Sequence, residues 1–413
     1  MIVERRLRAM ALAMTVTAAL GCGHRVASPN AAPKPIVAAV LPQVGAEARG
    51  EFESALRLLK LGGKKHQTEA RAHLLKATQL DAKFYEAWHN LGWLDASRGN
   101  FARAAAAFRR ALDIQPGSRE TALALAETLR RAGYSKKAAA LYGDRLAASP
   151  GDMELRNRYI QVLRDGGDLE EALTQTKIAL GQAGENTAQT VLAYNSLGLI
   201  YYKMEKLELA ETALKKALEL DGQSAFVWNN LGLVAFARGR DQKAFLNFQK
   251  ASELDPKYVE ARLNKAIVFM DCGDYKHARV ELQRAVDASP GDADAYVALG
   301  VASRGDGKLD EARRSYEKAL ELEPEHGPAL YDLGILFMEF DKDPDKAIDA
   351  FTQFMDVADA DDPRRKDVDQ RLKELSASAK KADKADKSDK PDTAEKATKP
   401  DKAAEKTSRG NKK

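Results

Sequence analysis

The chain has 413 residues, of which 31% are charged and 7% are aromatic, and its formal net charge is only +4. So small a charge gives no indication of nucleic-acid binding, and an apolar fraction made largely of Ala and Leu favours helices over sheets. The two cysteines, Cys22 and Cys272, do not suggest a disulfide framework. The length allows a few ordinary domains or one elongated repeat domain.

The first 22 residues have the pattern of an export signal. Three arginines at residues 5–8 precede an apolar run at residues 9–20, which is too short to span a bilayer as a helix. The run ends in Ala19-Leu20-Gly21-Cys22, which resembles the bacterial lipobox. The resemblance implies cleavage before Cys22 and lipidation of its sulfur. The alternative is an ordinary signal peptide with a coincidental cysteine.

Low-complexity segments flank the central part of the chain. Residues 23–46 are rich in Pro and Ala, which predicts a stiff, extended tether. The glycine at residue 23, by resemblance to sorted lipoproteins, favours an outer-membrane anchor facing the periplasm. Residues 379–413 are dominated by Lys, Ala and Asp, without aromatic or branched aliphatic residues, so we expect disorder. This tail is either simply solvated or a contact for an anionic polymer or acidic partner.

Between these segments the sequence repeats with a period of 34 residues. Two windows share the same internal spacing: Trp88, Leu91, Gly92, Ala104, Phe108, Ala111 and Pro116, and Trp228, Leu231, Gly232, Ala244, Phe248, Ala251 and Pro256. Repeats 1 to 9 begin at residues 51, 85, 119, 153, 191, 225, 259, 293 and 327. Four residues are inserted before repeat 5, and one is inserted near Pro344 in repeat 9.

The spacing W-x2-L-G, followed by A-x3-F-x2-A and a proline, resembles the signature of the tetratricopeptide repeat. The resemblance covers about three quarters of the chain. It implies an all-α fold, a right-handed α-solenoid of about nine helical hairpins over residues 47–378. Residues 363–375 are expected to form a C-terminal capping helix.

Small residues at fixed positions of the repeat predict close packing between helices A and B of each hairpin. Counted from the first residue of a repeat, position 8 is glycine in five repeats: Gly92, Gly198, Gly232, Gly300 and Gly334. Position 20 is alanine in repeats 1 to 8. A side chain larger than these would push the two backbones apart, so we expect both positions to be buried.

No constellation typical of catalysis or metal binding is found in the sequence. The six histidines lack the spacing of a zinc site, and Asp341, Asp343 and Asp345 lack the glycine and glutamate of a calcium loop. Gly305-Asp306-Gly307-Lys308 lies at a turn and is interpreted as structural. We therefore expect no enzymatic activity, no cofactor and no small-molecule substrate.

In tetratricopeptide repeats, helix A lines a concave groove that binds partner proteins, and the resemblance places several residues there. Three groups are candidate contacts for a partner: the amides of Asn90, Asn195, Asn229, Asn230 and Asn264; the guanidinium groups of Arg130, Arg131, Arg158 and Arg164; and the apolar side chains of Tyr202, Phe226, Leu233 and Phe236. Asparagine can hold a peptide backbone, and arginine can hold carboxylates. The alternative is a solvated polar face.

These features predict a non-enzymatic scaffold that organises other proteins of the bacterial envelope and is held at the membrane by its lipid. The combination of lipid anchor, repeats and Lys-rich tail resembles the tetratricopeptide lipoproteins of gliding-motility machines. Alternatives are a scaffold for secretion, pilus assembly or outer-membrane biogenesis, and an accessory factor for peptidoglycan or polysaccharide synthesis.

Overall fold

The computed structural model describes residues 44–360 and 362–388. The predicted signal peptide with Cys22, nearly all of the predicted tether and the tail from residue 389 lie outside these residues. Within the described part of the chain there are nineteen α-helices and no strand, which confirms the predicted all-α class of helical hairpins. None of the helices in these ranges has both the length and the hydrophobicity needed to cross a bilayer.

The helices follow one another with short connections. Their bounds are α1 (Ala46–Leu61), α2 (Gly63–Leu80), α3 (Tyr85–Ser97), α4 (Phe101–Ile114), α5 (Arg119–Arg131), α6 (Ser135–Ala148), α7 (Met153–Asp165), α8 (Leu169–Ala183), α9 (Thr187–Lys203), α10 (Leu207–Leu220), α11 (Ala225–Ala237), α12 (Asp241–Leu254), α13 (Val259–Asp271), α14 (Tyr275–Ala288), α15 (Ala293–Gly305), α16 (Leu309–Leu322), α17 (Gly327–Leu336), α18 (Pro344–Val357) and α19 (Arg364–Ser388).

The chain divides into two compact units, up to Ser315 and from Tyr316. In the first, α1 to α14 form the hairpins of repeats 1 to 7, and α15 and the start of α16 follow. In the second, the rest of α16 is followed by the α17–α18 hairpin of repeat 9 and by α19, which packs on α18. Odd-numbered helices from α1 to α17 are therefore helices A, and even-numbered ones are helices B.

Helix A starts at position 1 in most repeats, and in several of them the side chain before it caps the helix. Ser118, Asp152 and Asp292, all at position 34 of the preceding repeat, accept hydrogen bonds from the backbone N–H three residues later at 3.0–3.2 Å. Repeat 5 differs, since α9 begins at Thr187. The four inserted residues add about one helical turn, so the phase of the apolar face is retained.

The turn between helices A and B requires a left-handed residue. Gly239 has φ 67°, and the following N–H, of Arg240, donates to the carbonyl of Ala235 at 2.9 Å. Repeat 5 adopts the same turn with Glu205 at φ 59°. A side chain with Cβ is strained in that conformation, so the turn geometry of this repeat is imposed by packing of the hairpin on its neighbours.

Close packing between helices A and B confirms the predicted role of the small residues. All eight position-20 alanines, from Ala70 to Ala312, have 0% exposure. Position 8 is equally restricted, because a Cβ built on Gly92 would lie 2.8 Å from Phe108 and one built on Gly198 would lie 2.6 Å from Leu214. The large side chain at position 24 of helix B thus rests directly on the glycine backbone of helix A.

A hydrogen bond between successive repeats recurs at position 4. The indole N–H groups of Trp88 and Trp228 donate to the carbonyls of Ala82 and Gly222 at 3.1 and 3.0 Å. Arg156 and Arg262, at the same position, donate to the carbonyls of Pro150 and Pro256 at 2.6 and 3.0 Å. Every one of these carbonyls is at position 32 of the preceding repeat, where helix B has just ended and leaves carbonyls without helical partners.

Ion pairs between successive repeats use position 21 of helix B. Arg71 pairs with Asp95 of repeat 2 at 2.6 Å. In repeat 5 the signs are reversed, because Glu211 pairs with three cations of repeat 6, at 2.7–3.2 Å: Arg238, Arg240 and Lys243. The hydrogen bond from Lys243, with further help from Lys215, lowers the pKa of Glu211 to about 2, so this buried carboxylate stays charged at neutral pH.

In the second compact unit, the residue inserted near Pro344 lies in a π-helical turn, Phe337–Asp341, that extends helix A. Such turns accommodate one additional residue without ending the helix. The predicted capping helix is present as α19: Val368 is buried, and the hydroxyl of Tyr331 donates to Asp367 at 2.9 Å.

Helix α19 continues to Ser388, ten residues beyond the predicted boundary at residue 378. The expectation that disorder begins at residue 379 was therefore wrong for residues 379–388. Repeated Ala and Lys residues have high helix propensity and can extend an existing helix without burying a core, because propagation needs no new nucleus.

Replacing Gly232 by alanine is expected to lower the free energy of unfolding by about 1–3 kcal/mol. The reason is that the added Cβ would lie 2.5 Å from Cε1 of Phe248, whose ring is fully buried. Urea unfolding followed by far-UV circular dichroism measures the change. Gly222→Ala is the matched control, since its Cβ would meet only the carbonyl of Leu218 at 3.6 Å. Equal losses in the two variants would contradict the packing argument.

Candidate binding face on helices A

The predicted contact residues lie on helices A of repeats 2 to 7, at positions that recur along each helix. The structure separates them into three groups with different surroundings. Four of the five asparagines hydrogen-bond across repeats, most of the arginines are in ion pairs, and the apolar residues are half-buried. Each group therefore has to be considered by itself.

The asparagines form a ladder across three consecutive helices A. Nδ2 of Asn230 on α11 donates to Oδ1 of Asn195 on α9 at 2.7 Å. Nδ2 of Asn264 on α13 donates to Oδ1 of Asn229 on α11 at 2.9 Å. Asn229 and Asn230 are themselves joined at 3.4 Å, and all four residues are buried. The side-chain amides thus connect repeats 5, 6 and 7.

The expectation that these amides hold the backbone of a peptide is therefore corrected for Asn229, Asn230 and Asn264. Neighbouring helices A lie close enough for one amide to reach the next, and a buried amide is stabilised by such a partner. Asn90 in repeat 2 is also completely buried. The amides fix the contact between successive repeats instead of presenting donors and acceptors to solvent.

The predicted acceptor of carboxylates in repeats 3 and 4 is already occupied by carboxylates of the chain. Arg130 pairs with Glu127 at 2.8 Å and with Asp165 at 3.4 Å. The buried Arg164 also pairs with Asp165, at 2.8 Å. These contacts satisfy the guanidinium groups inside the chain, so they are not a free anion site.

The two other arginines are also engaged, although Arg131 is exposed. Arg158 pairs with Glu154, four residues earlier on α7, at 3.1 Å. The guanidinium carbon of Arg131 lies 4.9 Å from the ring centroid of Phe101. The signal missed in the sequence was the acidic residue three or four places before Arg130 and Arg158, on the same helical face.

The four apolar residues, Tyr202, Phe226, Leu233 and Phe236, are only half-buried. Tyr202 and Phe226 pack with one side on the core of repeats 5 and 6, and Leu233 and Phe236 pack on that of repeats 6 and 7. Their other sides remain accessible on α9 and α11. We call these four residues the apolar face.

A buried polar network in repeats 2 and 3 was not foreseen from the sequence. The hydroxyl of Tyr85 lies 2.7 Å from the hydroxyls of both Ser118 and Thr121, and Nδ1 of His89 lies 2.8 Å from that of Thr121. His89 also packs edge-on against Phe108. His89 on helix A thus contributes to the contact between repeats 2 and 3.

Comparison with known proteins identifies the family. A family model described as the tetratricopeptide domain of cytochrome c-type biogenesis protein H matches residues 201–330, and two tetratricopeptide-repeat models match residues 85–118 and 328–357. The chain is a tetratricopeptide-repeat protein. No curated protein matches its sequence.

Solved structures of similar fold include other tetratricopeptide-repeat proteins. The APC/C hetero-tetramer Cut9–Hcn1 matches with 14% identity, a TM-score of 0.47 and coverage of 79% of this chain and 66% of that chain. YrrB, a repeat protein with an unusual peptide-binding site, matches with 24% identity, a TM-score of 0.33 and coverage of 46% and 96%. MamA from Desulfovibrio magneticus RS-1 matches with 26% identity, a TM-score of 0.37 and coverage of 42% and 96%.

The titratable groups of this tetratricopeptide-repeat protein do not form a reactive cluster in the part of the chain described. No group of His, Cys, Asp and Glu residues there could hold a metal ion. Cys272 is largely exposed, but its partial desolvation, together with nearby aspartates, raises the pKa of its thiol, which is the opposite of nucleophile activation. Asp343 caps α18 by accepting a hydrogen bond from the backbone N–H of Lys346.

The asparagine ladder predicts energetic coupling between repeats. In a double-mutant cycle of Asn195→Ala and Asn230→Ala, we expect a coupling of about 0.5–1.5 kcal/mol in the free energy of unfolding, because each single change removes the same hydrogen bond. The cycle of Asn195→Ala with Asn264→Ala is the control, since these two amides are not joined to each other. Similar coupling in both cycles would contradict the ladder.

Proposed function

We propose that the protein is a scaffold of the bacterial envelope that binds a partner protein on the apolar face of repeats 5 and 6. The fold supports a role in protein interaction, since tetratricopeptide repeats present helices A as a binding surface. The observation that carries the proposal is a contrast between groups of side chains. The amides and guanidinium groups of helices A mostly have partners inside the chain, and the apolar face retains accessible surface.

Accessible apolar surface of this kind is typical of an interaction site. Large apolar side chains grouped on a solvent-facing surface lose contact with water when a partner covers them, and aromatic residues contribute most per residue. Three of the four residues in the apolar face are aromatic. Their inner sides are fixed in the core of the repeats, so the partner meets side chains that are already ordered and loses little additional entropy.

The envelope location is a further part of the proposal and is supported by the amino-terminal sequence. The apolar run and the Cys22 that ends it have the pattern of a lipoprotein signal, and a lipid on the cysteine would hold the scaffold at a membrane. The Pro-rich segment that follows would separate the repeats from the membrane surface. An outer-membrane anchor facing the periplasm stays the favoured location.

The process that the scaffold serves has two candidates. The arrangement of anchor, repeats and Lys-rich tail resembles gliding-motility lipoproteins. The second candidate is assembly in cytochrome c-type biogenesis, favoured because the matching family model covers residues 201–330, which include the whole apolar face. The identity of the partner captured at this face distinguishes the candidates, and it also tests the alternatives in secretion, pilus assembly and cell-wall synthesis.

A photo-reactive benzoylphenylalanine at position 236 is expected to cross-link a partner in intact cells, because this side chain is part of the apolar face. The same group in place of Leu246 is the control, since Leu246 is 56% exposed on helix B of the same repeat but lies outside the face. Immunoblots of the irradiated cells measure the adduct. Loss of the adduct in Leu233→Gln would strengthen the assignment. An adduct from position 246 and none from position 236 would refute it.

Replacing Cys22 by serine is expected to release the protein from membranes, because serine cannot form the thioether to the lipid. Ultracentrifugation of lysed cells, followed by immunoblotting of pellet and supernatant, measures the change. Cys272→Ser is the matched control and should remain in the membrane fraction, since this cysteine lies in the turn of repeat 7. A membrane-bound Cys22→Ser protein would contradict the lipid anchor.

A further inference from the structure

We propose that the protein associates with further copies of itself, through contact between the exposed sides of α4 and α6 in one copy and the exposed side of α18 in another. All three are helices B, so this contact is separate from the apolar face on helices A and does not rest on the proposed function. The inference depends on the charges of the two surfaces and on the spacing of those charges.

The exposed side of α4 and α6 is basic, and we call it the basic face. Phe108 and Tyr142 hold the opposite sides of the two helices in one apolar cluster. The basic face carries five cations and two carboxylates: Arg103, Arg109, Arg110, Lys136, Lys137, Asp113 and Asp144. In these completely described helices, the one ion pair of the face joins Arg110 to Asp113 at 3.8 Å. Most of its positive charge is therefore not compensated within the chain.

The exposed side of α18 is acidic. The helix is buried through Phe351 and Phe354, and its opposite side exposes three carboxylates: Asp345, Asp349 and Asp356. Within residues 44–360 and 362–388, none of the three forms an ion pair, although Asp349 accepts a hydrogen bond from Gln353 at 2.9 Å. The cation on this helix, Lys346, pairs with Asp343 at 2.7 Å. Its carboxylates thus remain available to cations of another molecule.

The charges on the two surfaces have the same spacing. Arg103 and Arg110 are seven residues apart on α4, and Asp349 and Asp356 are seven residues apart on α18. Seven residues advance about 10.5 Å along an α-helix and return to nearly the same side. Two ion pairs can therefore form at once when α4 of one copy lies beside α18 of another. This matters because a single exposed ion pair contributes little, whereas several charges in register form a network.

Small side chains lie between the charges on both surfaces. Ala106 is exposed between Arg103 and Arg110, and Thr352 is exposed between Asp349 and Asp356. The distance between packed helices depends on the side chains at their contact, so small residues allow the two helices to approach until the charged groups meet.

A second copy fits α18 better than the Lys-rich tail of the same chain does. In residues 389–413, five carboxylates are interspersed among eight cations. The basic face has five cations to two carboxylates, and they are held in place by two helices of the core. Opposite charges that are already positioned favour association and disfavour a wrong arrangement of the partners.

The two surfaces differ, so the contact is heterologous. One copy uses its basic face and the other its α18, which leaves one surface of each kind unoccupied in a pair. Further copies can therefore add to the pair.

Sedimentation velocity of the full chain with Cys22→Ser, which excludes association through a lipid, tests the proposal. We expect species larger than a dimer as the concentration rises, and at least about tenfold weaker association when NaCl is raised from about 0.05 to about 0.5 M. A single monomeric species at every concentration in low salt would overturn the proposal.

Two double variants in that background identify the surfaces. Arg103→Gln with Arg110→Gln removes charge from the basic face, and Asp349→Asn with Asp356→Asn removes it from α18. Each is expected to weaken self-association by at least about tenfold, whereas an equimolar mixture should form a heterodimer and nothing larger, because one intact surface of each kind remains. Circular dichroism verifies that both variants are folded.

Lys216→Gln with Lys250→Gln is the matched control, since it removes the same charge from the exposed sides of α10 and α12. Its association should match that of the parent chain, and an equal loss would show that net charge alone is responsible, contrary to the proposal. Removal of residues 389–413 should leave association intact. If this truncation abolishes association, the acidic side of α18 binds the Lys-rich tail and the assignment to the basic face is wrong.

Discussion

The closeness of helices A and B within a repeat is the constraint on which the rest of the structure depends. At Gly232, at position 8 of repeat 6, there is no room for a methyl group, since a Cβ there would overlap the ring of Phe248. At position 20 the alanines are completely buried. A single hairpin packed this tightly still leaves apolar side chains on its flanks, so each repeat is stable only when it stacks on its neighbours.

The stacking of repeats then determines which polar side chains donate to the carbonyls at the ends of helices B. The carbonyl at the end of one helix B receives a donor from position 4 of the next repeat, and either tryptophan or arginine can provide it. Where position 4 is Ala122, Arg145 of helix B donates to the carbonyl of Pro116 at 2.6 Å instead. Different residues thus provide a hydrogen-bond donor to the carbonyl at position 32. Such a donor is needed because a carbonyl left without a partner at a helix end costs free energy.

Charged side chains at position 21 favour one order of neighbouring repeats. Position 21 is Arg in repeats 1 and 7 and Glu in repeat 5, and the following repeat carries the opposite sign in each case. Pairing repeat 5 with a repeat whose partners are acidic would bring like charges together, so the sign pattern disfavours a wrong order of repeats. By contrast, the apolar face is only half-buried and retains accessible surface, which is why we assign partner binding to it.

The sequence by itself determined the period, the phase of the helices and the positions that had to be glycine or alanine, because these depend on contacts within one repeat. It also indicated the apolar residues of helices A. The tertiary structure decided the role of Asn230 and Arg130, whose partners include Asn195 and Asp165, 35 residues away in the neighbouring repeat. The residue type alone does not reveal whether such a partner lies within hydrogen-bond distance. An amide with a partner inside the chain has a structural role, whereas an amide without one can bind a ligand.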